Sequence, residues 1–301
     1  MKRNVLFILI FILIIILSAC IPFEKQSPLV TKEFLEGMPM ILEFSRPVVK
    51  VEIFDGNKKI YDYNGDIIYD LKTNLILHND LIIKITEFHK SRTYTDTIKV
   101  IEPDIQFLVY IGADNNLSPE GNLGNIDYAG MDIKELKNSL IKSAQKINVI
   151  ILWDKLKNSD EILFLSNFNS IEEISFSPTQ MGFSDDELSS SATETLYDFL
   201  ENFTIKNNTV VKVLDLWDHG NGWKDESKIT KSTKEIMDDN STNQKMKIKE
   251  IKEILQKLKV ENNINFDILA FDACNMMSLE IIYSFKDLVD YIIGSVYSIA
   301  G

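Results

Sequence analysis

At 301 residues, with 45% hydrophobic and 26% charged side chains, the chain carries enough apolar material for one large or two ordinary globular domains and is not a disordered protein. A formal net charge of -13 and a pI near 4.8 exclude general nucleic-acid binding, which needs a basic footprint to displace counterions. Such an acidic surface instead favours solubility and draws basic partners weakly.

Residues 1–20 stand apart. Lys2 and Arg3 precede an apolar run over residues 5–17, and Leu17-Ser18-Ala19-Cys20 closes it. A short basic region, a hydrophobic stretch and small residues before a break form an export signal, and the run is shorter than the about 20 apolar residues of a spanning helix. Leu-Ser-Ala-Cys resembles the lipobox of bacterial lipoproteins. That resemblance implies cleavage before Cys20, lipid on that cysteine, and anchorage to a membrane. An uncleaved signal anchor is the alternative, and both place the folded part outside the cytoplasm. The chain has two cysteines, so lipid on Cys20 leaves no second thiol to form a disulfide with Cys274. A thiol in an exported chain needs a reason: nucleophilic work, or burial as a small apolar side chain.

Residues 21–36, with Pro22 and Pro28, read as a tether. Residues 37–102 read as a small all-β domain. Alternation over 48–54, the turn Asp55-Gly56-Asn57, alternation over 59–63, the turn Asn64-Gly65-Asp66, and further runs at 75–77, 81–85 and 93–101 suggest an immunoglobulin-like β-sandwich. His78 and His89 fall at turns or strand ends and read as surface residues, with no metal site expected around them.

Glu102-Pro103 marks a change to strands alternating with helical segments, the mark of a mostly parallel sheet flanked by helices, over residues 103–301. Residues 105–111 form a buried strand followed by Gly112-Ala113-Asp114-Asn115-Asn116-Leu117. Residues 125–144 are helical in period, with Ile126, Met131, Leu136, Leu140 and Ile141 as the apolar side. A strand follows at 147–153, then a hairpin of 161–168 with 173–176, a helix through 193–200, and a strand at 210–216. Residues 224–243 are polar without sustained period and read as a surface loop. An amphipathic helix at 245–258 faces Ile248, Ile251, Ile254, Leu255 and Leu258 inward. A strand at 266–271, a helix at 278–285 and a strand from Tyr291 complete the pattern.

Two of these strands stop at reactive side chains, His219 and Cys274. The thiolate is the nucleophile, a thiol's ordinary pKa is roughly 8.5, and a neighbouring imidazole lowers that value or removes the proton. Strand ends of an open parallel sheet are where ligand sites collect. This pairing points to a cysteine peptidase. Gly220 and Gly222 lie beside the histidine, and the backbone N–H groups of Gly220 and Cys274 are the candidate oxyanion hole. Asp272, two residues before Cys274, lies on the thiol's side of an extended segment. It either receives a basic substrate side chain or caps the helix that follows.

Trp217-Asp218-His219-Gly220-Asn221-Gly222-Trp223 and Asp272-Ala273-Cys274-Asn275-Met276 resemble the histidine and cysteine motifs of the clostripain family of cysteine peptidases, and residues 110–117 resemble that family's first strand and turn. The resemblance covers roughly residues 104–294. It implies a caspase-like fold, a Cys–His dyad of Cys274 as nucleophile and His219 as acid and base, and endopeptidase cleavage after Arg or Lys. It also implies Asp272 in the pocket for the basic side chain, and activation by a cut between the two motifs, where Lys224, Lys228, Lys231 and Lys234 stand. The chemistry requires no cofactor; the family admits calcium, but no loop here has oxygen-ligand spacing for it. One departure concerns specificity. After Ile293-Gly294-Ser295 the family continues with acidic residues and a Gly-Trp element, whereas this chain reads Val296-Tyr297-Ser298, so a second pocket acid and the fold's final elements are not expected. The competing expectation is a non-catalytic surface lipoprotein that retains the fold for binding.

Overall fold

The structure, a computed structural model, describes residues 26–89, 91–122, 124–157, 159–168, 172–220 and 235–298. The expected export segment with Cys20, Gly222 and the four lysines of the expected activation loop lie outside the described residues. Among the described residues no helix is long and apolar enough to cross a membrane. The chain divides into two units, the first comprising Met1–Lys32, Leu42–Leu71 and Leu81–Ile98, the second Glu33–Ile41, Lys72–Asp80 and Lys99–Gly301. Three segments that the sequence reading gave to the small β domain, residues 37–41, 72–80 and 99–102, thus group with the second unit. The physical reason is visible for the first of them, since Leu35 and Met38 are buried in the second unit's core.

The amino-terminal strands are β1 (Glu33–Leu35), β2 (Ile41–Asp55), β3 (Lys58–Lys72), β4 (Leu81–Glu87) and β5 (Thr93–Ile101). They join one sheet in the order β1-β5-β4-β2-β3, not the two facing sheets of an immunoglobulin-like sandwich. Gly56, at φ +56°, makes the expected turn between β2 and β3. Asn64-Gly65-Asp66, by contrast, makes no turn and lies within β3, and residues 75–77 form no strand, so fewer and longer strands result. His78 and His89 are both exposed, as expected of surface residues.

The second unit is built on a seven-stranded sheet. Its strands are β6 (Ile105–Ala113), β7 (Ile147–Lys155), β8 (Glu161–Ser166), β9 (Glu172–Phe176), β10 (Val211–Trp217), β13 (Ile268–Asp272) and β14 (Tyr291–Ile293), and their order is β14-β13-β10-β6-β7-β8-β9. The pairs from β14 through β7 are parallel, and β7–β8 and β8–β9 are antiparallel. Alternation along the strands sorts side chains to two faces. Leu108, Tyr110, Ile150, Leu152, Leu214, Leu216, Leu269 and Phe271 pack on one face with the helices α2 (Thr193–Phe203), α3 (Ile248–Lys257) and α4 (Leu279–Phe285). Val109, Ile111, Val149, Ile151 and Trp217 pack on the other with α1 (Tyr128–Leu140). The result is a three-layered α/β unit.

Two local expectations are corrected. The α1 side facing the sheet is Ala129, Ile133 and Leu140, whereas Ile126, Met131 and Ile141 are exposed. At 100° per residue Met131 lies on the opposite side from Ile133, and Ile126 precedes the helix. The polar stretch before α3 contains a hairpin, β11 (Glu235–Asp239) with β12 (Gln244–Lys247), which buries Ile236, Met237 and Met246. The five inward residues expected of the following helix are all buried, with Leu258 just past the end of α3.

Candidate active site

The chain passes from β6 through α1 to β7 on one side of β6, while β10 lies on its other side. The loops leaving β6 and β10 therefore part from one another, and a crevice opens at the carboxyl ends of the strands. The turn after β6 carries Asn115 and Asn116, the residues after β10 are Asp218, His219 and Gly220, and those after β13 are Ala273 and Cys274. In the parallel register Trp217 stands opposite Asp272, and the Asp218 N–H donates to the Asp272 carbonyl at 3.3 Å. His219 and Cys274 each stand two residues beyond that last register pair, in the loops that leave the two strands.

The two loops meet backbone to backbone. A Cβ on Gly220 would lie 2.3 Å from the Cys274 carbonyl oxygen and 2.9 Å from the Cys274 nitrogen, so only glycine lets them come this close. Gly220 also forms an antiparallel bridge to Ile236 of β11. Cys274 is half-buried and is a thiol. Beyond it Asn275 adopts φ +60°, its N–H donates to the Tyr297 carbonyl at 3.1 Å, and the Met277 N–H donates to Ser295 at 2.9 Å.

The histidine loop is organised around a buried carboxyl. Asp218 accepts the backbone N–H groups of His219 and Asp238 and, at 2.8 Å, the side-chain amide of Asn115. Burial pushes its pKa well above the usual carboxylate range, and the three donors oppose that shift. Asn115 also donates to the Gly112 and Asp238 carbonyls at 3.1 and 2.9 Å and accepts from the Leu117 N–H at 2.9 Å. A Cβ on Gly112 would lie 2.8 Å from Asp218 Oδ2, so that position too is restricted to glycine. His219 Nε2 lies 2.6 Å from Asn116 Oδ1. Burial lowers the imidazole pKa, with Asp238 opposing and Lys245 reinforcing the shift.

Asp272 does not cap the next helix. That position belongs to Ser278, whose Oγ accepts the Ile281 N–H at 3.4 Å. Asp272 instead lines a cavity of about 270 Å³ on the α1 face with Asp132, Asp215, Ile133, Leu136 and Trp217. Trp217 Nε1 donates to Asp132 at 2.7 Å. Partial burial and then the charge of Asp132 raise the Asp272 pKa. Asp215 is pushed up to about 7 by burial and then by Asp272, and its Oδ1 has no hydrogen-bond partner.

A second acidic group lies at the carboxyl ends of β6 and β7. Asp154 is pushed up to about 8 by burial and then by Asp160, and burial is also the main cause that takes Asp160 to about 7. Asp114 and Glu187 are raised as well, again chiefly by burial. Among the described residues no group of three or more His, Cys, Asp or Glu side chains is placed to hold a metal ion.

Against this geometry, the model of the clostripain family of C11 peptidases matches residues 109–301, close to two thirds of the chain. The chain belongs to the clostripain family. Clostripain-family members are cysteine peptidases, and the matched span contains both His219 and Cys274. Among solved structures, a secreted C11 cysteine protease from Bacteroides thetaiotaomicron in complex with an irreversible peptide inhibitor is 22% identical, with a TM-score of 0.48 over 65% of this chain and 49% of that one. An inactive zymogen C11 protease from Parabacteroides distasonis is 24% identical, with a TM-score of 0.47 over 66% of this chain and 50% of that one. The chain therefore spans about half the length of these two proteins. No curated protein matches it. Within the clostripain-family domain, the residues missed by sequence reasoning are Asn115, Asn116, Asp132, Asp215 and Asp238. The first two stand in the stretch 110–117 that resembles the family's first strand and turn, and that resemblance gave their position without a role.

Proposed function

We propose that the chain is a cysteine endopeptidase that uses Cys274 and His219 and cleaves after Arg or Lys. The observation that carries this reading is the close approach of the Gly220 backbone to Cys274, which holds the two reactive loops side by side at one rim of the sheet. His219 withdraws the thiol proton, and Sγ attacks the scissile carbonyl carbon, whose oxygen takes the negative charge toward the N–H groups of Gly220 and Cys274. His219 then protonates the leaving amine as the C–N bond breaks, leaving a thioester. Water, deprotonated by the same imidazole, hydrolyses the thioester and restores the thiol. The lowered pKa of His219 suits the base role, because the neutral ring predominates at neutral pH. Asp272, with Asp132 beside it in the same cavity, offers negative charge to a basic side chain, and Ile133, Leu136 and Trp217 offer apolar walls to its stem. Lipid on Cys20 would hold the enzyme at the outer face of a membrane, and cutting between the motifs would activate it.

The test is hydrolysis of an arginine ester by the full chain. Cys274→Ala abolishes turnover, and turnover left unchanged refutes the reading. For the anchor, labelling with a radioactive fatty acid is lost in Cys20→Ser if the lipobox reading holds and is unaltered if it does not.

A further inference from the structure

We propose that Asn116 is a positioning residue for His219, accepting the Nε2–H so that Nδ1 is the nitrogen left to serve the Cys274 thiol. This rests on the Cys–His reading above and adds to it the residue that sets the imidazole's orientation and tautomer. Neutral imidazole carries one N–H and one lone pair, and the hydrogen bond at one nitrogen decides which role the other plays. The 2.6 Å contact between His219 Nε2 and Asn116 Oδ1 assigns the proton to Nε2. It also stabilises the ring once Nδ1 has taken a proton, because an amide oxygen accepts more strongly from imidazolium than from imidazole.

Asn116 is held in place by its neighbour. Asn115 is buried, and its amide ties the turn to Gly112, Asp218 and Asp238. Asp218 in turn binds the His219 N–H, so the same buried pair fixes both partners of the Asn116–His219 contact. The charged groups acting on the imidazole are Asp238 of β11 and Lys245 of β12, with the buried Asp218 adjacent on its own loop. Asn116 itself is exposed, so replacing it leaves the fold intact and isolates its effect on the ring.

The experiment compares the full chain with Asn116→Leu, Asn116→Asp and His219→Gln. Alkylation of Cys274 by iodoacetamide is followed by peptide mass spectrometry across pH, and imidazole nitrogen shifts are read by NMR. Wild type shows the Nε2–H tautomer at His219. Asn116→Leu slows alkylation at neutral pH roughly 10-fold, short of the full 10²–10⁴ of a lost base. Asn116→Asp moves the acid limb of the profile up by about 1 pH unit, because a carboxylate favours the imidazolium. A wild-type Nδ1–H tautomer, or Asn116 variants with unchanged profiles while His219→Gln slows the reaction, overturns the role of Asn116 alone. If His219→Gln also leaves alkylation unchanged, the Cys–His reading falls and this proposal with it.

Discussion

The loops after β10 and after β13 carry the two halves of the proposed site, yet they are held in different ways. The His219 loop hangs from buried side chains: Asp218 and Asn115 gather N–H and carbonyl groups from β6, from His219 itself and from β11. The Cys274 loop is held through its backbone, by N–H groups of Asn275 and Met277 pairing with residues 297 and 295 and by the approach of Gly220. A loop held by side chains is vulnerable to single substitutions. One held by backbone tolerates them except where a Cβ intrudes.

The largest expected effect is on the side-chain hub. Asp218→Ala leaves three donors without their acceptor inside the protein and should lower unfolding free energy by about 3 kcal/mol, read as a fall in the midpoint of denaturant unfolding. Loss comparable to an ordinary surface substitution would remove the distinction between the loops. Gly220→Ala should come next, at about 2 kcal/mol, because the new methyl meets backbone that has no rotamer to change. The same variant should lose arginine-ester hydrolysis, and normal stability with normal turnover would show that the two backbones do not touch.

The acidic group near the β7 end sharpens the comparison through pH. Asp154 has a folded pKa of about 8, above its unfolded value, so the native chain keeps a proton that the unfolded chain has released. Its contribution is fully present below the unfolded pKa and is lost as pH rises toward 8. Asp154→Asn should therefore flatten the decline in stability between about pH 4 and pH 8, with a gain on the order of 1–2 kcal/mol at the upper end. A parallel pH dependence in both proteins would exclude this origin. The smallest effect belongs to the strap over the cysteine loop: Tyr297→Ala should change stability by less than about 0.5 kcal/mol, since the ring is exposed and the tie is its carbonyl. A larger loss would mean that side chains hold this loop too.

The sheet and the two reactive positions were legible in the sequence because they rest on strong local signals, apolar runs of strand length that stop at His219 and Cys274. That both strands end at one rim follows from their parallel pairing, which the alternation of strands and helical segments also signals. The β11–β12 hairpin was not legible, because Ile236, Met237 and Met246 are isolated among charges and acquire meaning only when buried against a partner. Asn116 and Asp218 were hidden for a related reason. A polar residue after a strand reads as a turn whether it faces water or an imidazole, and only tertiary contact tells the two apart. The sandwich expectation failed because Asn-Gly at residues 64–65 carries turn chemistry that the continuous pairing of β3 overrides.

The pairing of imidazole and thiol is tested most directly by labelling the folded full chain with a peptidyl chloromethyl ketone ending in arginine and locating the adduct by mass spectrometry. The account predicts a single adduct at Cys274 whose rate of formation falls at least roughly 100-fold in His219→Ala. An adduct elsewhere, or labelling of Cys274 at the same rate without the histidine, would contradict it.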